Sequence, residues 1–293
     1  MSSGTSDQDP LALARHYLEI GNARRAVAEL DSGGGAAIED EEFWSIRAQA
    51  LFELDRWSEA AEAAKRGLAD DPDDVMLLDI LALCEFQLDH NVEADERIRA
   101  ALELWPDHPT LLVHRALILA HLKRFDEAER LIAQAREIEP EASEVLLTSA
   151  QVAALRGDRA RARDYADELL AVAPESELSH MIRGAADLQS ARFKQAVRHL
   201  EEAARLNPEH PRVGDALREA RVGAHPVLAP VRPILRFGRF RSWLVYLTLA
   251  AVLAAARLHT LRYVVAGIWA TIVILSWVAP PVLRRWYRRK GHV

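Results

Sequence analysis

Prolines recur at a fixed interval along most of this chain: Pro72, Pro106, Pro140, Pro174 and Pro208 stand 34 residues apart. Alanine keeps the same step at Ala60, Ala94, Ala128, Ala162 and Ala196. A second small-residue column runs Ala48, Ala82, Ala116, Ala150 and Gly184, and a third runs Gly67, Ala101, Ala135, Leu169 and Ala203. A period of this size marks a stacked repeat, each unit burying its apolar face only against its neighbours. The period holds a pair of helices. Small residues fall where the two cross, because a small side chain lets the backbones approach. Larger residues surround them: Trp44, Leu78, Leu112 and Leu146 early in the first helix, Leu51 and Leu119 further along. Turn signals separate the helices, as at Leu54-Asp55-Arg56 and Arg156-Gly157-Asp158, and Trp57, Phe125 and Phe193 follow as apolar plugs. Each second helix is predicted to stop ahead of its proline, which disfavours helix in the residue before it.

The pattern resembles the tetratricopeptide repeat, which carries Trp or Leu, Gly or Ala, aromatic, Ala and Pro positions at these spacings. The resemblance implies an all-α solenoid, a right-handed superhelix of helix pairs. Five repeats are expected, at 41–74, 75–108, 109–142, 143–176 and 177–210. Residues 7–40 read as a degenerate first repeat: Tyr17, Gly21-Asn22 and Ala26 fit, but Gly33-Gly34-Gly35 breaks the second helix and Ile38 replaces the proline. Residues 1–6 are expected to be disordered. Glu85 and Asp187 in the family's aromatic column, and Arg159 where Phe or Trp is usual, suggest loose packing there. Residues 211–222 place Val213, Ala216, Leu217 and Ala220 on one helical stripe, a capping helix with a polar outer face.

The charge is divided. Residues 1–222 carry a net charge of −18 and residues 223–293 carry +11 with no acid at all. Pro226, Pro230 and Pro233 make 223–241 a linker. Two apolar segments follow, 242–261 and 263–283. At 1.5 Å per residue they extend about 28–31 Å, against a hydrocarbon core of roughly 30 Å. They are predicted to form two transmembrane helices, with Arg257 snorkelling, Trp243, Tyr246, Tyr263, Trp277, Trp286 and Tyr287 at the interfaces, and a basic tail over 284–293. Arg232, Arg236, Arg239 and Arg241 precede the pair; Arg284, Arg285, Arg288, Arg289 and Lys290 follow it; only Arg257 and Arg262 lie between. The positive-inside rule then puts both outer flanks in the cytoplasm, where they also meet anionic lipid headgroups. MSSGTSDQDP at the start has no apolar leader stretch, so the repeats are expected on the same side. The expected location is the cytoplasmic membrane, and 33 arginines to 4 lysines suggest a GC-rich bacterial genome. A buried helical hairpin packed on the repeats is the alternative.

In the resembling family the first helix of each pair lines a concave groove. Carried onto this chain, the groove residues are Ser45, Gln49, Phe52, Met76, Asp79, Leu83, Phe86, Val113, Leu117, Leu147, Gln151, Met181, Ala185 and Leu188. The family's chaperone-tail binders hold a carboxylate with Lys, Arg and Asn; Glu42, Ser45, Gln49, Asp79 and Thr110 here supply no such clamp. The expected partner is a protein, through a helical or extended apolar segment with basic flanks that the acidic domain attracts. The apolar residues could equally pack between successive first helices. The chain's own basic and apolar segment 227–240 (VLAPVRPILRFGRF) is a third possible occupant.

Chemistry is not indicated. There is no GxxxxGK[ST], no GxGxxG after a strand and no HExxH. His114 and His121 share a helix face without a third ligand, so no metal or other cofactor is expected. Cys84 beside Glu85 reads as a buried, inert thiol. The −18 charge of residues 1–222 disfavours nucleic acid. The expected role is a membrane-tethered, non-enzymatic interaction scaffold; the alternative is a non-catalytic subunit of a membrane enzyme or of a protein translocation or assembly complex.

Overall fold

The computed structural model describes residues 9–32, 41–208, 210–229 and 259–289, with side chains at 272, 273, 276 and 277 among the few set aside. The chain divides into two compact units, 1–156 and 157–293. All regular structure among the described residues is helical.

The first unit is a run of antiparallel pairs: α1 (Pro10–Glu19) with α2 (Ala23–Ser32), α3 (Glu41–Glu53) with α4 (Trp57–Asp70), α5 (Val75–Gln87) with α6 (Asn91–Leu104), and α7 (Pro109–His121) with α8 (Phe125–Ile138). It closes on α9 (Ser143–Arg156). Each pair packs on itself and on the next, and α3, α5, α7 and α9 stack in succession. The second unit holds α10 (Arg159–Val172), α11 (Glu177–Gln189), α12 (Phe193–Leu206) and α13 (Pro211–Ala224), then a 3-10 turn at Pro226–Leu228 and α14 (His259–Arg289).

The period is visible in the helix ends. Second helices start at Trp57, Asn91, Phe125, Arg159 and Phe193, and each stops two residues ahead of its proline. Asp74 and Asp158 cap α5 and α10 by accepting from the Leu77 and Arg161 amides, supplying partners for donors that the first turn leaves open. Proline opens α7 and α13 at a position where its missing N–H is no loss.

The small-residue columns are the helix crossings. Ala48, Ala82, Ala116, Ala60, Ala94, Ala128, Ala101 and Ala135 are all fully buried. At Gly67 an added Cβ would lie 2.4 Å from Leu77 Cδ1 and 2.9 Å from Trp44 Cβ. At Gly184 it would lie 2.6 Å from Leu200 Cγ, and at Gly223 2.1 Å from Phe193 Cδ1. The turns show a further column: Gly21, Asp55, Asp89, Lys123, Gly157 and Ala191, each 34 residues on, all have positive φ between 54° and 86°. A left-handed residue costs about 1–2 kcal/mol when it carries a Cβ. Ala191, at φ 54°, has no polar side chain to offset that. Ala191→Gly is therefore expected to stabilise the chain by about 0.5–1 kcal/mol after glycine's unfolded-state entropy is subtracted. The check is the urea midpoint, which should rise; a lower midpoint would contradict the turn account.

Glu85 and Asp187 are not loosely packed as expected. Both are buried, Asp187 completely. A long or paired acid fills the position where other repeats carry Leu51, Leu119 and Ala153. Asp187 faces Arg183 one turn earlier, with Nη1 to Oδ1 at 2.6 Å, and Arg183 also pairs with Asp167 on α10.

In α13, Val213, Leu217 and Ala220 point inward. One edge of α14 packs on the end of this helix and on the turn after it, through Ala279, Leu275 and Leu283 against Val222 and Leu228. The helix runs through Pro280 and Pro281 to Arg289, so it extends beyond both ends of the expected 263–283 segment. Its other face leaves Val264, Ile268, Ile274, Val278 and Val282 exposed. Among the described residues, no helix is long and apolar enough to cross a membrane. The expected N-terminal tail (1–6), the glycine break at 33–35, most of the linker and of the 242–261 segment, and Arg236, Arg239, Arg241 and Lys290 lie outside the described residues.

Candidate functional site

The expected groove residues of the first unit lie along the stack of α3, α5, α7 and α9. Gln49 and Phe52 on α3, Leu83 and Phe86 on α5, Leu117 on α7 and Leu147 and Gln151 on α9 are half-buried. Met76, at the start of α5, is 47% exposed. Val113 is 0% exposed and belongs to the core, and Ser45 is buried, its hydroxyl donating to Asp74 Oδ2 at 3.2 Å. Phe52 stands edge-on to Trp57 at 4.9 Å, and Phe86 edge-on to His121 at 4.8 Å. Phe52 is thus held by a ring of its own repeat and Phe86 by a ring of the next. In the second unit, Met181, Ala185 and Leu188 are half-buried along α11, with Leu188 packed on the Ala196, Leu200 and Leu217 cluster.

One end of the first unit's groove deepens into a cleft of about 630 Å³. Ile46, Met76 and Leu77 give it apolar walls, and Glu42, Asp70, Asp71 and Asp74 give it an acidic rim, with Arg15 alongside. Arg15 is paired with Glu42.

The middle of the groove holds an ionic triad that spacing arguments missed. His114 on α7 lies between two carboxylates: Nδ1 is 2.7 Å from Asp79 Oδ1 on α5, and Nε2 is 3.0 Å from Glu144 Oε1 on α9. Thr110 donates to the other Glu144 oxygen at 3.0 Å. A carboxylate only accepts, so both ring nitrogens carry hydrogen and the ring is an imidazolium. Burial pulls its pKa down, but hydrogen bonds to Asp79 and Glu144 and their charges outweigh that and raise it to about 9. The partners sit 35 and 30 residues away. The three residues stand on three consecutive first helices, α5, α7 and α9.

The sign of the linkage is definite. A folded pKa raised from 6.5 to about 9 means that the triad's contribution is complete below about pH 6.5 and is lost as pH rises through 9. On the order of 2–3 kcal/mol is at stake. Hydrogen-exchange protection of 109–121, corrected for intrinsic rates, is expected to fall between pH 6.5 and 9.5 in the native chain and to stay level in His114→Gln. Equal pH dependence in the two would contradict the triad.

Other candidate groups are accounted for by structure. Cys84 is buried; burial, then the Glu85 charge, pushes its thiol up to about 12, so it is not a nucleophile at neutral pH. Burial, then Lys123, lowers the pKa of His121. Asp95 is held by Arg115 at 2.9 Å and Arg124 at 3.1 Å. No group of three or more His, Cys, Asp or Glu among the described residues could hold a metal ion.

Stacked helix hairpins with a groove on the first helices define the class, and sequence comparison agrees over part of the chain: residues 11–75 and 81–143 match the tetratricopeptide repeat model. Over these residues the chain is similar to tetratricopeptide repeats. Solved structures share the fold. PilW, described as a widely conserved type IV pilus biogenesis factor, is 16% identical with a TM-score of 0.59, over 73% of this chain and 100% of its own. A chain of the APC/C hetero-tetramer Cut9–Hcn1 is 16% identical with a TM-score of 0.61, over 72% of this chain and 42% of its own. Human IFIT1, solved as a dimer with m7Gppp-AAAA, is 19% identical with a TM-score of 0.58, over 72% and 54%. At these identities the likeness concerns the fold alone. No curated protein matches the sequence.

Proposed function

We propose that this chain is a protein-interaction scaffold tethered to the cytoplasmic membrane, holding a helical or extended apolar segment of a partner protein in the groove of its first helices. The observation that carries the reading is the half-open apolar row of Met76, Leu83, Phe86 and Leu117 beside an acidic cleft. An apolar segment anchors on the row, and basic residues flanking it meet Asp70, Asp71 and Asp74. Methionine suits such a surface because its side chain adapts to different partners. The groove lacks a carboxylate clamp: Asp79 and Glu144 neutralise His114, so an acidic chain terminus finds no free cation there.

The tether rests on sequence. Residues 263–283 carry no charge, 242–261 carry only Arg257, and Arg284, Arg285, Arg288 and Arg289 lie immediately after. Both outer flanks then face the cytoplasm, with the repeats beside anionic lipid. The exposed apolar face of α14 favours a second reading, in which that face packs against spans of a larger membrane complex and the chain is its non-catalytic subunit.

The test is affinity capture from membrane lysate with full-length chain, with 1–222, and with 1–222 carrying Phe52→Asp, Phe86→Asp and Leu117→Asp. A partner held by 1–222 and lost with the three aspartates is the expected result. Capture by the full-length bait alone would move recognition to 223–293 and favour the subunit reading. Carbonate extraction tests the tether separately: the full chain should stay with the membrane pellet, and its release would refute the tether.

A further inference from the structure

The second unit contains a pair of histidines that nothing above uses. His180 on α11 and His199 on α12 meet Nδ1 to Nδ1 at 3.4 Å, with ring centroids 5.7 Å apart. His180 Nε2 lies 2.9 Å from the Pro174 carbonyl oxygen, in the loop after α10. That oxygen can only accept, so Nε2 bears the hydrogen and the Nδ1 of neutral His180 is a bare acceptor. His199 must then donate from Nδ1. The hydrogen-bond chain runs from the loop through α11 to α12, and it fixes the tautomer of both rings.

We propose that the His180–His199 contact is an acid-opened latch between α11 and α12, oriented by the bond from His180 to the loop after α10. Its response to protons follows from the geometry. One added proton leaves the bond intact, since either ring can be the imidazolium while the other Nδ1 accepts. A second proton removes the only acceptor and leaves two N–H groups and two positive charges opposed at 3.4 Å. The latch therefore opens only when both rings are imidazolium.

The surrounding charges make that second step costly. On α11 stand Glu177, Arg183 and Asp187; on α10, Asp167; on α12, Arg198, Glu201 and Glu202. Ahead of α13, His210 approaches Glu177 at 3.8 Å, and on α13 Arg221 pairs with Glu201 at 3.1 Å. Burial, then Arg183, lowers the pKa of His199. Asp187, whose charge opposes that lowering at His199, is itself paired with Arg183, and Glu202, which feels His180, is paired with Arg205. The contribution is present above about pH 6.5 and lost as pH falls, opposite in sign to that of His114.

The test is hydrogen exchange on the full-length chain in detergent with a metal chelator, corrected for intrinsic rates, at pH 7.5 and 5.0. Protection of peptides within 177–206 is expected to fall about tenfold or more relative to 41–70, which contains no histidine. His199→Asn should remove that dependence, because an amide offers either a donor or an acceptor to His180 and keeps the bond in both protonation states. No fall in the native chain, or an equal fall in His199→Asn, would overturn the latch. If His199→Asn is already unprotected at pH 7.5, imidazole nitrogen-15 spectra of the native chain decide the matter. His180 bare at Nδ1 and His199 bare at Nε2 support the latch; any other pair of tautomers refutes it.

Discussion

Arg183→Met is expected to remove about 3–5 kcal/mol of stability from the repeats in 157–229. The reason is the carboxylate it would abandon. Asp187 is 0% exposed. What offsets its burial is the Arg183 guanidinium at 2.6 Å. Breaking one side of a buried ion pair leaves a bare charge away from water, which costs more than the intact pair contributes. The double variant Arg183→Met with Asp187→Leu should recover most of the loss, since leucine is what Leu51 and Leu119 supply at this position of other repeats. Urea unfolding of the native chain and the three variants measures both statements. An Arg183→Met midpoint equal to the native one would mean that Asp187 is solvated and the pair is incidental.

Gly67→Val is expected to cost about 2–3 kcal/mol. An added Cβ already lies 2.4 Å from Leu77 Cδ1 and 2.9 Å from Trp44 Cβ. Leu77 is almost fully buried and cannot retreat. Branching at the β-carbon widens the clash at the crossing of α4 with its two neighbouring first helices. Alanine at the same position should cost less, because roughly 1 kcal/mol of helix propensity returns when glycine is replaced. The comparison of thermal midpoints should rank native, alanine and valine in that order. A valine variant at or above the native midpoint would remove the close crossing as the reason for this column.

Much of the fold was legible because the period constrains packing directly. Pro72 and its successors mark where second helices stop, and the alanine columns mark where helices touch, since both positions have strict steric demands. The turn column was hidden because the left-handed residue is Gly, Asp, Lys or Ala in different repeats; backbone geometry unites them, and residue type does not. Glu85 and Asp187 looked like defects because a residue column records one side chain at a time, whereas Asp187 is buried at the expense of a cation one turn away. The groove was legible only as a set of helices. Val113 shares its column with Asp79 and Leu147, yet it is buried and they are not, so the residue column alone does not decide which side chains stay open. The His114 triad depends on reach between three helices, which a single-helix pattern does not encode.

The central claim is that partners enter through the first-helix face, and site-specific photocrosslinking tests it most directly. A photoreactive phenylalanine analogue would be placed at Met76, Leu83 and Leu117 in the groove, and at the exposed Arg99 and Arg130 on the second helices. Irradiation in intact cells should give one discrete adduct from the three groove positions and none from the second-helix positions. Adducts from Arg99 and Arg130, with none from the groove, would contradict the account and place recognition on the opposite surface.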